Sequence, residues 1–246
     1  MPQPKVAVII VAAGKGERFG SDESKIFAKL GGRPVFIRTI EHFINRDDVC
    51  KTIVVVGGSD LEQMKSKFGP NLAFMGVNLA EGGARRVDSV AAGLKAVPDE
   101  ADLVAIHDAV RPCVTPVMID AVFAEAAKSG AAILATPLHG TVKRATDAGV
   151  IDATVPRENL YEAQTPQVFK RQLILDAYAN LPEDADSITD DAQLLERTGH
   201  PVQIVKSDPT NLKITTRPDI TLANAIIQAR PAPKVKKFGA FEEAQW

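Results

Sequence analysis

The sequence contains few cysteines and no marked excess of charge. Two cysteines, Cys50 and Cys113, stand among 246 residues. They form neither a disulfide framework nor a metal-binding spacing, so we expect reduced thiols in a cytoplasmic protein. Lysine plus arginine number 29 against 31 aspartates and glutamates, so no net field would attract nucleic acid or an acidic membrane. We also expect no signal peptide before the first apolar run and no membrane span.

The most informative stretch is the apolar run Val6–Val11, followed by a small-residue loop, Ala12–Gly20, and by Lys25. Mostly β-branched residues in such a run predict a strand buried on both faces, as in a parallel sheet. The loop glycines allow backbone N–H groups to approach an anion closely, and Arg18 and Lys25 add positive charge. The stretch therefore predicts a site for a phosphate-rich ligand.

The type of phosphate loop is narrowed by comparing known patterns. A dinucleotide-binding loop needs a third glycine where this chain has Phe19, and the G-x-x-x-x-G-K-[ST] pattern of a P-loop is absent. The remaining pattern, A-A-G-x-G-x-R-[MF]-G followed by a lysine, resembles the loop of sugar-nucleotide pyrophosphorylases and related nucleotidyltransferases. The simpler alternative is a glycine-rich turn between a strand and a helix.

Apolar runs alternate with helical patterns along the chain. The predicted strands are Thr52–Gly58, Ala73–Val77, Leu103–Asp108, Ala131–Ala135, Val202–Val205 and Asn211–Thr215. The predicted helices include Leu61–Phe68, Pro116–Ser129 and Asp219–Ala229, the last capped near Thr216. This order predicts an α/β, Rossmann-like, mostly parallel sheet flanked by helices. Ligands then bind beyond the carboxyl ends of the strands, where Gly14, Gly83 and Asp108 fall.

A different pattern follows Pro137. Gly140–Ala145 and Val150–Val155 flank a turn with a glycine, which predicts a β-hairpin too poor in large apolar residues to belong to the core. We expect an arm at about residues 138–158 that projects toward a partner subunit. The arm lies within one domain spanning residues 1–230, and residues 231–246 are expected to form a mobile tail.

Several separated motifs occur in a definite order along the chain: the loop from Ala12 to Gly20, Lys25, Gly82-Gly83 with Arg86 and Asp88-Ser89-Val90, His107–Pro112, Thr141–Lys143, Arg157, Thr165–Gln167, Ile188–Asp191 and Asn211–Thr215. This ordered set resembles the 2-C-methyl-D-erythritol 4-phosphate cytidylyltransferase family from about Val6 to about Ala229. The resemblance implies transfer of CMP from CTP to that polyol phosphate, with release of pyrophosphate and with Mg²⁺ or another divalent cation as cofactor.

The resemblance also implies residue roles. It makes Arg18 and Lys25 catalytic, at the triphosphate. Further CTP contacts fall to Ala12, Ala13, Gly14, Gly16, Gly82, Gly83, Arg86, Ser89 and Asp108. The acceptor is assigned to Asp108, Ala109, Arg111, Thr141, Arg157, Thr165 and Lys213. Asp108 is in addition the candidate metal ligand, directly or through water. The implied assembly is a homodimer with exchanged arms, in which Thr141 and Arg157 reach the active site of the other subunit.

Two rival functions stay open at this stage. A cytidylyltransferase for another polyol phosphate, such as ribitol 5-phosphate, has similar motifs, although Ala12-Ala13 favours the methylerythritol group. A non-catalytic nucleotide-binding homologue is suggested by Ser24 and Ile26, where the family usually has proline and glutamine. Retention of Arg18, Lys25, Asp108, Arg157 and Lys213 together argues against it, because a protein that only binds a nucleotide does not need both phosphate sites.

Three further residues or pairs have structural interpretations. We expect His107 to be a hydrogen-bonded structural histidine rather than a general base. We expect Asp190-Asp191 to form a helix N-terminus rather than a metal site. We expect Arg85 to be exposed at the surface.

Overall fold

A computed structural model describes residues 3–14, 16, 19–20, 24–182 and 184–230. Its strands are Val6–Ala12 (β1), Lys29–Leu30 (β2), Arg33–Pro34 (β3), Val49–Val56 (β4), Val77–Glu81 (β5), Leu103–Asp108 (β6), Ala131–Pro137 (β7), Val142–Ala145 (β8), Ile151–Val155 (β9), Tyr161–Lys170 (β10) and Gln203–Lys206 (β11). Its helices are Val35–Ile40 (α1), Gly58–Phe74 (α2), Arg86–Leu94 (α3), Pro116–Ser129 (α4), Arg171–Ala179 (α5), Ala192–Arg197 (α6) and Arg217–Ala229 (α7), with a short 3₁₀ helix at Ala185–Ser187.

A seven-stranded sheet in the order β11-β7-β10-β6-β1-β4-β5 forms the centre of the molecule. β1 pairs in parallel with β4 on one side and with β6 on the other. β10 runs antiparallel to both of its neighbours, β6 and β7, whereas the remaining pairs are parallel. The predicted mostly parallel α/β sheet is therefore confirmed.

Side chains of β1 alternate between two apolar cores, one on each face of the sheet. Val8 and Ile10 enter the core that α1, α2, α4 and α7 cover, and Ala7 and Ile9 enter the core that α3, α5 and α6 cover. All four are fully buried. Burying one valine or isoleucine side chain contributes about 1.5–3 kcal/mol to stability. Because helices occupy both faces, the carboxyl ends of the parallel strands are where a ligand finds room.

Two strand predictions are wrong. The strand predicted at Ala73–Val77 is instead the end of a helix and a turn, because α2 continues to Phe74 and is followed by a turn in which Gly76 has φ +69°. β5 begins only at Val77. The strand predicted at Asn211–Thr215 is an irregular segment. Side chains hold that segment in place: Asn211, which is fully buried, donates to Gln164 Oε1 (3.0 Å) and to the Thr165 carbonyl (2.9 Å).

The predicted hairpin is present. β8 and β9 form a two-stranded antiparallel sheet of their own, separate from the central sheet. Most of its residues are exposed, including Val150 and Ile151, each 63% exposed. Two large apolar side chains at the end of an exposed hairpin leave apolar surface in water.

Two predictions fall on residues outside the described part of the chain: the catalytic assignment of Arg18 and the mobile tail at residues 231–246. Within the described part, none of the helices has both the length and the apolarity that crossing a bilayer requires.

Candidate active site

A cavity of about 360 Å³ opens at the carboxyl ends of β1 and β6. It is built from the loop after β1, the start of α3, the end of β6 and the irregular segment that carries Lys213. Nine of the predicted site residues line it: Ala12, Ala13, Gly14, Lys25, Gly83, Arg86, Ser89, Asp108 and Lys213. Residues distant in the sequence thus converge where the phosphate-binding loop was predicted.

A second cavity of about 220 Å³ lies beside the first. Two predicted acceptor residues, Arg111 and Thr165, line it together with Gln164, Gln167, Thr189 and Asp190, whose side chains were not assigned to the site from the sequence. Their motifs were visible in the sequence, but nothing in the sequence showed that these side chains face a cavity. Among the described residues, Arg86, Asp108 and Lys213 line both cavities.

Asp108 is the acidic member of this shared wall. Its Oδ2 lies 2.8 Å from Lys213 Nζ and 3.3 Å from Arg111 Nε. Burial alone would raise the pKa of this carboxyl, but the positive charges of Lys213, Arg111 and Arg86 outweigh burial and hold the pKa well below its usual range. Asp108 is therefore ionised at neutral pH and orients the Lys213 ammonium and the Arg111 guanidinium.

His107 precedes Asp108 and is fully buried. Its Nε2 lies 3.2 Å from the Arg111 carbonyl oxygen, which only accepts, so Nε2 carries the proton. Its Nδ1 lies 3.0 Å from Thr165 Oγ1, which also accepts a hydrogen bond from the Asp108 backbone N–H (3.0 Å). Burial lowers the pKa of His107 to about 3. A neutral histidine that accepts from Thr165 is a structural group, as its position after an apolar strand indicated.

The two aspartates make different contacts: Asp190 caps the helix as predicted, whereas Asp191 binds an arginine side chain. Asp190 does accept the backbone N–H of Gln193 (3.0 Å), as a capping residue would. Asp191 makes no such bond; its fully buried carboxylate pairs with Arg86 at 2.9 and 2.6 Å. Burial alone would lower the pKa of Arg86, but the Asp191 charge raises it above its usual value.

The Gly82-Gly83 pair packs closely against its surroundings. A Cβ atom at Gly82 would lie 2.7 Å from the Ala13 Cβ and 2.8 Å from Ser89 Oγ, and one at Gly83 would lie 2.4 Å from the Asp88 Cβ. Ser89 is buried, and its hydroxyl donates to the Arg85 carbonyl (3.0 Å). Arg85 is exposed, as predicted, and pairs with Asp88 (2.7 Å) while also lining the first cavity.

Five predicted residues within the described part of the chain line neither cavity. Gly16 lies in the loop beside the Lys25 side chain, and Gly82 lies behind Ser89. Ala109 is fully buried, and its carbonyl accepts from Thr39 Oγ1 (2.8 Å). Thr141 and Arg157 lie exposed at the hairpin, where the Arg157 guanidinium donates to the His139 carbonyl. The two hairpin residues therefore do not line the cavities of their own chain.

A family model described as 2-C-methyl-D-erythritol 4-phosphate cytidylyltransferase matches residues 6–229. The chain belongs to this family. A cytidylyltransferase of that name from Rhodopirellula baltica is 44% identical over 233 residues, which cover 90% of this chain and 94% of the relative. One from Alkaliphilus oremlandii is 40% identical over 227 residues, covering 92% and 96%. The crystal structure of the Thermus thermophilus enzyme superposes with a TM-score of 0.76 at 32% identity, covering 91% of this chain and 99% of that one. The predicted family is thus confirmed.

The departure at Ile26 has a structural explanation within this family member. Ile26 is 1% exposed and belongs to the same apolar core as Phe27 and Phe36. Its carbonyl accepts the Phe36 backbone N–H at 3.2 Å. An apolar side chain is therefore accommodated beside Lys25 by packing, and Lys25 still lines the cavity.

The donor set at Asp108 limits how a divalent cation could bind. Mg²⁺ prefers six oxygen ligands and usually keeps several waters, taking one or two carboxylates and substrate phosphates. The described residues include no group of three acidic, histidine or cysteine side chains suited to hold a metal. Asp108 supplies one carboxylate, already neighboured by two cations. These residues would fit a cation held mainly by phosphate oxygens, to whose water shell the Asp108 carboxylate could be a hydrogen-bond acceptor.

Proposed function

We propose that this chain transfers the cytidylyl group of CTP to 2-C-methyl-D-erythritol 4-phosphate and releases pyrophosphate. Membership in the cytidylyltransferase family supports this activity. The observation that carries it is the wall of Arg86, Asp108 and Lys213 shared by two adjacent cavities. A nucleotide in the larger cavity and a phosphate in the smaller one would meet at that wall.

In the proposed reaction, an oxygen of the acceptor phosphate attacks the α-phosphorus of CTP. The new P–O bond forms as the bond from the α-phosphorus to the bridging oxygen breaks, and that oxygen leaves with pyrophosphate. The acceptor phosphate is already ionised near neutral pH, so charge neutralisation matters more than a covalent nucleophile. We assign this neutralisation to Lys25 and Arg18 on the triphosphate. A divalent cation would add positive charge there when bound.

The smaller cavity suits the acceptor phosphate. Lys213 and Arg111 offer positive charge, and Asp108 holds both by ion pairs of 2.8 and 3.3 Å. Because its pKa is depressed, Asp108 orients these cations and does not exchange protons. The Thr165 hydroxyl already makes two internal hydrogen bonds, so it has one lone pair left for a ligand.

The larger cavity suits the nucleotide. We assign the triphosphate to the loop Ala12–Gly16, because glycines allow backbone N–H groups to approach an anion closely. Gly82, Gly83 and Ser89 are assigned to the cytosine and ribose. Ala109 is given no ligand contact, because its backbone N–H and carbonyl are already bonded to Val11 and Thr39. The close packing of Gly82 and Gly83 against Ala13, Ser89 and Asp88 leaves no room for a side chain at either position. We expect the glycine backbone to read a pyrimidine edge and to exclude a purine.

We further propose a homodimer in which each hairpin completes the other subunit's site with Thr141 and Arg157. The exposed apolar residues Val150 and Ile151 give the hairpin a surface that a second copy could cover. A Lys25→Ala chain and an Arg157→Ala chain should each be poor catalysts alone. Their heterodimer should regain one intact site, with Lys25 from one chain and Arg157 from the other. A verified heterodimer without recovered turnover would reject the shared site.

The activity is tested by measuring pyrophosphate release from CTP with 2-C-methyl-D-erythritol 4-phosphate and, separately, with ribitol 5-phosphate. We expect turnover with the first acceptor and little with the second, and loss of turnover on chelation of divalent cations. Equal rates would favour the broader polyol-phosphate enzyme, and no release with either acceptor would favour a nucleotide-binding protein. The free thiols of Cys50 and Cys113 suit the proposed cytoplasmic location.

A further inference from the structure

One cation of the shared wall is anchored from outside both cavities. Arg86 begins α3, and its guanidinium forms two hydrogen bonds to Asp191, from Nη1 to Oδ1 at 2.9 Å and from Nη2 to Oδ2 at 2.6 Å. Asp191 lines neither cavity, and its side chain is fully buried. Of the side chains that hydrogen-bond to the Asp191 carboxylate in the described part of the chain, Arg86 lines the cavities and Tyr178 does not. The carboxylate therefore acts on a ligand there through Arg86.

The Asp191 carboxylate is itself held in place. Tyr178 Oη, on α5, donates to Asp191 Oδ1 at 2.6 Å. The Asp191 backbone N–H donates to Gln167 Oε1 at 3.0 Å, and Gln167 lies on β10. A second backbone N–H, that of Ala192, reaches the same Gln167 oxygen at 3.1 Å. Contacts from α5, β10 and the start of α6 thus fix the position of the carboxylate to which Arg86 is bound.

This anchoring matters because a guanidinium on a flexible side chain otherwise samples many rotamers. The pair uses two of the five guanidinium N–H groups and leaves up to three for phosphate oxygens. Donors held in position before the reaction stabilise developing charge more effectively than donors that must reorganise. A lysine cannot replace this arrangement, because an ammonium lacks the planar fork of the guanidinium.

We propose that Asp191 is a positioning residue for nucleotidyl transfer, fixing the Arg86 guanidinium at the wall between the nucleotide and the acceptor phosphate. The inference rests on the proposed function. It predicts that the carboxylate of Asp191 affects turnover as long as Arg86 is present to transmit it. A role in folding alone would affect stability without this dependence on Arg86.

The test compares Asp191→Asn, Arg86→Lys and the double variant in the pyrophosphate-release assay. Misplacing a reacting group by about 1 Å can cost up to about a hundredfold, so we expect kcat of Asp191→Asn to fall by roughly ten- to a hundredfold and KM for CTP to rise about threefold. In the Arg86→Lys background, Asp191→Asn should lower kcat by less than about threefold more, because the pair is already lost. A folded Asp191→Asn protein with kcat within about threefold of wild type overturns the proposal. The proposal is also overturned if the double variant loses the full product of the two single-variant losses in kcat.

Asp184→Asn is the matched control, because Asp184 also binds an arginine, Arg197, through two hydrogen bonds (2.7 and 3.0 Å), but at the exposed surface. Its kcat should equal that of wild type. Near-ultraviolet circular dichroism verifies folding. If Asp191→Asn does not fold, Tyr178→Phe takes its place; it removes one bond that holds the carboxylate and should lower kcat, whereas an unchanged kcat overturns the proposal.

Wild-type turnover is measured first, so that failure of the proposed function is recognised separately. If the wild type releases no pyrophosphate with either acceptor, the assigned activity fails, and the positioning of Arg86 is then measured by calorimetric titration with CTP. Binding by the folded variant that is about threefold weaker than wild type supports the proposal. Equal affinity overturns it.

Discussion

Replacing Thr165 by valine tests the buried contacts that hold the floor of the acceptor cavity. Valine has nearly the same shape as threonine but lacks the hydroxyl. That hydroxyl donates to His107 Nδ1 and accepts from the Asp108 backbone N–H, both at 3.0 Å. Thr165 is 5% exposed and His107 is fully buried, and a valine side chain offers neither hydrogen-bonding group a replacement partner. The substitution therefore leaves two buried polar groups without a partner.

The expected cost follows from these two groups. Each unsatisfied buried donor or acceptor costs about 1–3 kcal/mol, and two neighbouring groups relax together, so we expect a loss of about 2–4 kcal/mol in the free energy of unfolding. Urea denaturation measures it. With a slope of about 3 kcal/mol per molar urea, the midpoint should fall by roughly 1 M. Turnover should fall as well, because Asp108, which pairs with the Lys213 and Arg111 side chains, loses the hydrogen bond from its backbone N–H to Thr165.

Thr165→Ser is the matched control, because it keeps the hydroxyl and removes only a methyl group. It should lose about 1 kcal/mol and retain most turnover. Thr198→Val removes a single hydrogen bond, from Oγ1 to the Leu195 carbonyl (2.7 Å), and should cost less than Thr165→Val. A Thr165→Val protein as stable as wild type would refute the double bridge and the neutral, accepting state of His107.

Three further predictions concern single residues. Lys25→Ala should lower kcat by roughly a hundred- to a thousandfold, the cost of about 3–4 kcal/mol expected for one preorganised donor, while the urea midpoint stays within error; kcat within about threefold of wild type would contradict its assignment. Gly83→Ala places a Cβ 2.4 Å from the Cβ of Asp88 and should weaken CTP binding in a calorimetric titration. Gly69→Ala is the control, because its added Cβ meets nothing within 4 Å, and it should bind CTP as the wild type does. Equal CTP affinities of the two variants would contradict the role given to the close packing of Gly83. Burial lowers the pKa of His107 from 6.5 to about 3, so the unfolded chain takes up a proton where the native one does not. Stability present above pH 6.5 should therefore be lost as pH falls toward 3, by on the order of 3 kcal/mol at pH 4; His107→Gln should flatten this loss in urea denaturation, and an unchanged curve would contradict the shift.

Local chemistry in the sequence determined most of the fold. The run Val6–Val11 specifies a buried parallel strand because neither of its faces is polar. The cap of α7 near Thr216 was also predicted from neighbouring residues, and the Thr216 backbone N–H donates to Asp219 Oδ2 at 2.7 Å. Predictions failed where distant contacts override local preference. The segment Asn211–Thr215 has the residue pattern of a strand, yet the buried Asn211 side chain bonds to β10 and holds the backbone in an irregular path.

Some features of the candidate site were likewise predictable from the sequence, and others required the tertiary structure. Glycines and cations at the ends of predicted strands indicated a phosphate site, because strand ends of a parallel sheet meet at one edge. The partner of each charged side chain was not predictable, since Arg86 and Asp191 lie 105 positions apart and meet only when α3 and the segment before α6 pack on the same face. The sequence alone thus indicated eleven residues that line the two cavities. Only the tertiary structure added Gln164, Gln167, Thr189 and Asp190, and only it showed that Asp191, expected at a helix cap, is the buried partner of Arg86.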